Sequence, residues 1–261
     1  MTENKFEFPQ PFPKQNVAFI DVLGFSELVF KSQHAQLEQY FRTITDILSE
    51  MKSENSKIQS INISDSIILI IPEGLNGFQR LVKAVRKIQR KLLFRNILIR
   101  GAISFGEVYF DDARNIIVGK GYIRAYLLEQ EAVYPRVIID PALMTEMGKD
   151  RVGLLEMMNG NLNFDPHSNY IFNHNNFTSI ENDAIFVDYA YSLREDGRIS
   201  EINGKVYNNI KKNLYSEQKL YSKYNWLRNY YLGCIDQSLQ LTADKSKLNV
   251  LKAWKIKFDN L

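Results

Sequence analysis

The chain has 261 residues, 45% of them hydrophobic and 24% charged, which is the composition of an ordinary globular protein long enough to bury a full core. No run of about 18 apolar residues marks a membrane span. The single cysteine, Cys234, excludes an intramolecular disulfide and points to a cytoplasmic home.

Cys234 lies in the apolar helical context YYLGCIDQSL and reads as a buried thiol, not a nucleophile. His34, His167 and His174 do not have metal-ligand spacing, which argues against a histidine-based zinc site. The formal charge is only +3, but it is unevenly placed. Residues 205–261 hold 11 Lys and Arg against 4 Asp and Glu. The lysines are dispersed among apolar residues, so the tail reads as a solvated helical face, with nucleic acid or a membrane surface as the lesser alternatives.

In chain order, residues 1–13 (MTENKFEFPQPFP) carry prolines and acidic residues and predict an extended arm, not a signal peptide. Asn16 to Ile20 predict a buried strand ending at Asp21. The Leu23-Gly24-Phe25-Ser26 turn follows, with a helix start at Ser26. From Gln33 to Lys52, apolar residues at Leu37, Tyr40, Phe41, Ile44, Ile47, Leu48 and Met51 have helical period. Lys57 to Ile63 and Ser66 to Ile71 predict two strands of a hairpin tipped by Ser64-Asp65. Leu75 to Phe94 predict a helix, and Ile97 to Tyr109 a long strand. Asp111-Asp112 predict a turn before a strand at Ile116 to Val118. A helix over Gly119 to Ala132, a strand over Val137 to Ile139 and a short helix over Pro141 to Met147 complete a first unit, 14–150. In 151–204, rich in Asn and Asp, a hairpin is expected with Ala184 to Tyr189 as one strand. From Lys205 onward the chain reads as helical, so 151–261 is expected to pack on the core as an extension. Hairpins mixed with helices imply an α+β fold with a ferredoxin-like, antiparallel-rich sheet and helices on one face.

Asp21 and Asp65 are the sharpest chemical pair. On this topology they meet at one strand edge with no lysine beside them, and a divalent cation would relieve their repulsion. Mg²⁺ or Mn²⁺ is the natural ion where a nucleoside triphosphate supplies further oxygens. As residue types alone, both aspartates read first as turn or cap residues, ahead of the metal reading. Gly24 supplies a turn whose backbone N–H groups can face phosphate. Arg100, Arg124 and Arg136 are the candidate phosphate or transition-state cations, Arg124 also reading as a solvated helix residue and Arg136 as a surface ion pair.

Four segments in order, FIDVLGFSELV (19–29), ISDSIILII (63–71), RGAISFGEVY (100–109) and IVGKGYIRAYLLEQEAVYPRVIID (117–140), resemble the catalytic domain of class III nucleotidyl cyclases. The resemblance is to the pyrimidine cyclases of bacterial anti-phage (Pycsar) systems above all, and KYNWLRNYY (223–231) is similar to that branch's C-terminal part. It implies that Asp21, the Val22 backbone and Asp65 hold two Mg²⁺ or Mn²⁺ ions. Leu23, Gly24 and Phe25 would hold phosphates, together with Arg100. Arg136 would act from the partner subunit of a head-to-tail homodimer with interfacial sites. The reaction implied is attack of the ribose 3′-oxygen on the α-phosphate, giving a 3′,5′-cyclic nucleotide and pyrophosphate. That cyclic product would act on a separate effector.

The chain departs from purine cyclases in ways that matter. Their helix Asn and Arg positions fall at Ile123 and Leu127, with Arg124 as a substitute. The positions that select adenine fall near Ile61 and Ile116, which have no side-chain hydrogen bonds to offer. Asn62 stands beside them and has an amide for a pyrimidine. The resemblance therefore implies UTP first and CTP next. A catalytically silent cyclase-fold module that senses nucleotide or dimerises is the alternative.

Overall fold

The computed structural model describes residues 8–54, 57–72, 74–160, 171–172, 184–190 and 199–261. Strand β1 (Lys14–Val22) lies at the centre because both of its faces are apolar. Ala18, Ile20 and Val22 are buried on one side, and Val17 and Phe19 on the other. Helices α1 (Phe25–Phe30) and α2 (His34–Glu54) follow, then the hairpin β2 (Gln59–Ile63) and β3 (Ser66–Pro72). After α3 (Leu75–Leu93) come β4 (Ile99–Glu107), the ribbon β5 (Tyr109–Asp111) and β6 (Ile116–Val118), and α4 (Lys120–Glu131). The unit closes with β7 (Val137–Ile139) and α5 (Pro141–Glu146). The rest adds α6 (Arg151–Leu155), a π-helical turn at Glu156–Gly160, β8 (Ile171–Phe172) and β9 (Phe186–Val187). Helices α7 (Ile199–Asn213), α8 (Gln218–Leu241) and α9 (Lys245–Asp259) end it.

Among the described residues seven strands form one sheet in the order β2-β3-β1-β4-β7-β9-β8. Every pairing is antiparallel except β4 with β7. The α+β, antiparallel-rich expectation therefore holds, with a helical C-terminal part. The sheet has helices on both faces, not one. Helices α2 and α3 bury Ala18, Ile20, Ile67, Leu69 and Ile71. The opposite face carries α4 over Val17, Phe19, Ile68 and Ile70, and α7–α9 over Ala102, Ile138 and Phe186. The physical reason is in the strands themselves: continuous β-branched runs such as Ser66–Ile71 need burial on both faces.

Other expectations shift at their edges. The strand expected to run to Tyr109 ends at Glu107, and Tyr109–Asp111 pairs instead with Ile116–Val118 as a separate ribbon. The strand expected over 184–189 is Phe186–Val187, paired with Ile171–Phe172. Helix α7 starts at Ile199, six residues before the expected Lys205. The Asn- and Asp-rich residues 161–170, 173–183 and 191–198, His167 and His174 among them, lie outside the described residues, as does most of the expected N-terminal arm. Of that arm, Phe8 and Phe12 pack against the Tyr109 ring.

A buried polar network fastens α8 to the sheet. The Tyr230 hydroxyl donates to Asp188 and accepts the Tyr189 and Ala190 N–H groups at 2.9 and 2.7 Å. From α3, Arg90 donates to the carbonyls of Tyr189 and Ala190. Among the described residues no helix is long and apolar enough to cross a membrane.

Candidate active site

Register brings the two aspartates together. Asp21 lies opposite Ser66 on β3 and opposite Arg100 on β4. Asp65 occupies the β2–β3 turn beside Ser66, after Ser64 in the left-handed region (φ 57°). Burial comes first and the Asp65 charge second in pushing the Asp21 carboxyl up to about 7, and a side-chain hydrogen bond to Asp65 adds to the shift. The Asp21 carboxyl therefore holds its proton to a higher pH than a free carboxylate does.

The third acidic group in this field is Glu129, on α4. Its Oε1 meets Arg100 Nε at 2.5 Å, while Arg100 Nη2 stands 3.6 Å from Asp21 Oδ2. Burial raises the Glu129 carboxyl despite Arg100. Helix α4 comes this close because Gly121 lies against Gly106 of β4. A Cβ on Gly121 would fall 3.1 Å from the Gly106 nitrogen and 2.9 Å from the Val108 side chain. Gly121, Ala125 and Glu129 form the buried stripe of the helix.

Two further groups surround the pair. The Tyr40 hydroxyl, wholly buried, has no hydrogen-bond partner, and burial together with the charges of Asp65 and Asp21 raises it. Lys223, on α8, is near enough to feel Asp21. Burial first, then Arg100 and Lys219, lower its ammonium, while Asp21 raises it. Lys223 thus lies in the field of Asp21, while among the described residues no ion pair joins a lysine to either aspartate. The C-terminal helices fold back over the end of the sheet, which the tail sequence did not reveal as more than a basic face. Lys219 and Lys223 sit four residues apart on one helix face, the one signal available beforehand. Glu129 had a similar signal in its four-residue spacing from Ala125 and Gly121.

The remaining candidates are placed as follows. Val22 is buried beside Asp21, and the Leu23 N–H donates to the Leu98 carbonyl at 2.8 Å. Gly24, exposed, is left-handed (φ 81°, ψ 15°) before α1, a conformation that glycine adopts without strain. The Phe25 ring packs edge-on to Tyr40. Asn62 is exposed on edge strand β2 opposite Ile67, on the sheet face away from Asp21. Arg124 makes a bidentate pair with buried Asp140, both contacts at 2.7 Å, and Asp140 also caps α5 through the Ala142 N–H. Arg136 is 3% exposed. Its Nε donates to the Ala132 carbonyl, and its guanidinium lies over the rings of Tyr134 and Trp226 at 5.4 and 5.8 Å. The structure therefore brings together Asp21, Asp65 and Arg100. It holds Arg124 and Arg136 in contacts of their own.

The donor set tests which ion fits. Asp21, Asp65 and the neighbouring backbone offer only oxygen, and among the described residues no group of three or more His, Cys, Asp or Glu forms a ready cage. That suits a hard cation held by one or two carboxylates plus substrate oxygens, and it does not suit zinc. The raised Asp21 carboxyl and the unpartnered Tyr40 hydroxyl mark a corner where a cation would take over from the proton on Asp21.

No family model matches the chain, and no curated protein matches it in sequence. Among solved structures it is similar to the monomeric guanylyl cyclase domain of the RhoGC fusion protein from the aquatic fungus Blastocladiella emersonii. That match has 15% identity and a TM-score of 0.41, over 52% of this chain and 86% of that one. It is also similar to the guanylate cyclase domain of RhGC from Catenaria anguillulae in complex with GTP, at 17% identity and TM-score 0.39, over 52% and 82%. A third likeness is to the guanylyl cyclase Cya2, at 14% identity and TM-score 0.41, over 70% and 95%. Likeness at this level says nothing of substrate.

Proposed function

We propose that the chain is a metal-dependent nucleotidyl cyclase of the class III type, acting on a pyrimidine nucleoside triphosphate, UTP before CTP. The observation that carries this reading is the Asp21–Asp65 pair, pressed together at the end of β1 with the Asp21 carboxyl raised to about 7 and Arg100 alongside. Asp21, Asp65 and the Val22 carbonyl would hold Mg²⁺ or Mn²⁺. When bound, the ion supplies charge stabilisation for the 3′-oxygen and the phosphates.

The chain's own residues divide the remaining work. Asp21 gives up its proton before it can act as a ligand. Arg100, anchored by Glu129, is placed to turn its free face to phosphate, and Lys223 adds a second cation from α8. The Leu23–Gly24–Phe25 turn, with Gly24 open to solvent, leaves room for phosphate oxygens against the backbone. The ribose 3′-oxygen attacks the α-phosphorus, its proton leaves to solvent or a nearby carboxylate, and pyrophosphate departs. Burial of the Asp21 carboxyl strengthens each of these contacts relative to water.

Among the described residues, one chain supplies carboxylates and phosphate cations near Asp21 but no side chain there that reads a base. A second copy completes the site. Helix α4 has an apolar surface for that contact, with Ile123, Tyr126 and Leu127 49%, 41% and 54% exposed at helical spacing. Asn62 lies on the sheet face away from Asp21, so its amide is turned from a base held at the same chain's corner. By the resemblance to Pycsar cyclases, the cyclic nucleotide would serve as a messenger in anti-phage defence. The silent-module reading draws support from Arg124 and Arg136, both engaged within the chain.

Substitution of Asp65 separates the two. Asp65→Ala removes a carboxylate from a turn outside the core, so folding is kept. Turnover is expected to fall at least about 100-fold, about 2.7 kcal/mol of lost transition-state stabilisation. Turnover within about two-fold of the unsubstituted chain, on the same scale, would remove Asp65 from the metal site.

A further inference from the structure

Asp21 and Arg100 are opposite residues on the antiparallel strands β1 and β4, so their side chains leave the same face of the sheet. Opposite charges placed in this way are ordinarily drawn into direct contact. Here they are not. Arg100 Nη2 stands 3.6 Å from Asp21 Oδ2, while Arg100 Nε is held 2.5 Å from Glu129 Oε1. The cross-strand pair is thus opened by a third residue, which comes from a helix and not from the sheet.

Glu129 has little freedom to do otherwise. Its side chain is 5% exposed, and among the described residues Arg100 is its ion-pair partner. It belongs to the buried stripe of α4 that includes Gly121, and Gly121 lies against Gly106 of β4, the strand that carries Arg100. Carboxylate and guanidinium are therefore fixed to two elements in backbone contact. A buried carboxylate costs free energy that only a close cation offsets. Arg100, 27% exposed, does not need Glu129 for its own pairing, because Asp21 is within its reach. After burial and Asp65, Glu129 raises the Asp21 carboxyl by more than Arg100 lowers it. The charge of Arg100 is thus offset at the place where Asp21 would otherwise feel it.

We infer that Glu129 is a positioning residue: it holds Arg100 back from Asp21 and so keeps the Asp21 carboxylate open to a divalent cation. The inference rests on the reading of Asp21 and Asp65 as a metal site and is independent of which nucleotide the chain uses. Without Glu129, Arg100 closes the remaining distance to Asp21, and a divalent cation then competes with a guanidinium for the same oxygens. With Glu129 in place, the Nε edge of Arg100 is engaged and its Nη2 group is left facing the corner.

The experiment is calorimetric titration of the full chain with Mn²⁺, without nucleotide, at about pH 8, above the range in which Asp21 holds its proton. Glu129→Gln is expected to weaken Mn²⁺ binding about 10- to 100-fold, the usual effect of losing a residue that orients a metal ligand's surroundings. The substitution is isosteric, so the fold is kept, and circular dichroism checks this. Glu129→Asp keeps the charge but draws it back by one methylene, and it is expected to weaken binding as well. The double variant Glu129→Gln with Arg100→Met removes the competing cation and is expected to return the affinity to within about three-fold of the unsubstituted chain. A residue that only supported the fold, or that was itself a ligand, would not be rescued in this way. Unchanged Mn²⁺ binding in Glu129→Gln overturns the inference. So does weakened binding that Arg100→Met fails to restore. Full affinity in Glu129→Asp overturns it too, because charge without position would then suffice. Absence of Mn²⁺ binding by the unsubstituted chain, or binding that Asp65→Ala leaves unchanged, is a different result: it overturns the metal reading of the corner, and the inference with it.

Discussion

Asp21 is half-buried among its partners, and its raised carboxyl makes a prediction about stability. A group with folded pKa near 7 and ordinary value 3.8 holds a proton in the native chain that the unfolded chain has lost. The stability this contributes is full below the ordinary value and is lost as pH rises through about 7. Without divalent cations, the melting temperature is therefore expected to fall between about pH 4 and pH 7. Mn²⁺ is expected to restore it at the upper end, because a bound cation takes the place of the proton. Asp21→Asn should flatten the slope and abolish the Mn²⁺ response. Thermal melts across that range, with EDTA or Mn²⁺, read all three, and a Mn²⁺ response that survives in Asp21→Asn would contradict the assignment. The two aspartates were legible in the sequence because each ends or joins an apolar strand. Tyr40, Glu129 and Lys223 were not, because they reach the corner through packing of helices that sequence spacing alone does not orient.

Among the elements, β3, α2 and α3 could be read almost to the residue, since long apolar runs and strong helical periods determine them, while β1 runs two residues beyond the expected Asn16–Ile20 at each end. The ends of β4 and α7 could not. At Glu107 the chain leaves the main sheet for the β5–β6 ribbon, a choice made by pairing partners rather than by local propensity. The segment Tyr134-Pro135-Arg136 shows the same limit. An arginine after a rigid Tyr-Pro step suggests an exposed cation, yet the aromatic residues of α8, distant in sequence, enclose it. Arg136 links the end of α4 to the face of Trp226. Arg136→Ala is accordingly expected to destabilise the chain by about 2–3 kcal/mol, and Arg136→Lys to recover only part of that, because lysine lacks the planar group that lies over both rings. Urea unfolding of both variants measures this. An Arg136→Ala chain as stable as the parent, but slower in turnover, would return the residue to the catalytic role that the family resemblance implies.

At the scale of the molecule, the C-terminal helices are part of the site's surroundings, not a separate tail. Burial of Tyr230, Trp226 and Phe258 joins them to the β4–β7–β9 end of the sheet. Of their basic residues, Lys223 lies in the field of Asp21, and Lys205, Lys212 and Lys219 line a cleft beside the Val22–Leu23–Gly24 turn. The opposite end of α4 is left apolar and exposed. Replacing Ile123 and Leu127 together by Glu is expected to convert a dimer to a monomer in light scattering, with turnover lost and the fold intact. A dimer that survives both charges would remove α4 from the interface.

The most direct test of the account is incubation of the purified chain with each of the four ribonucleoside triphosphates separately, with Mn²⁺ or Mg²⁺, and product identification by mass. The account predicts a cyclic pyrimidine nucleotide and pyrophosphate, cyclic UMP first, formed only when the divalent cation is present. No cyclic nucleotide from any of the four, by a chain that still binds nucleotide, would contradict it and leave the silent module in its place.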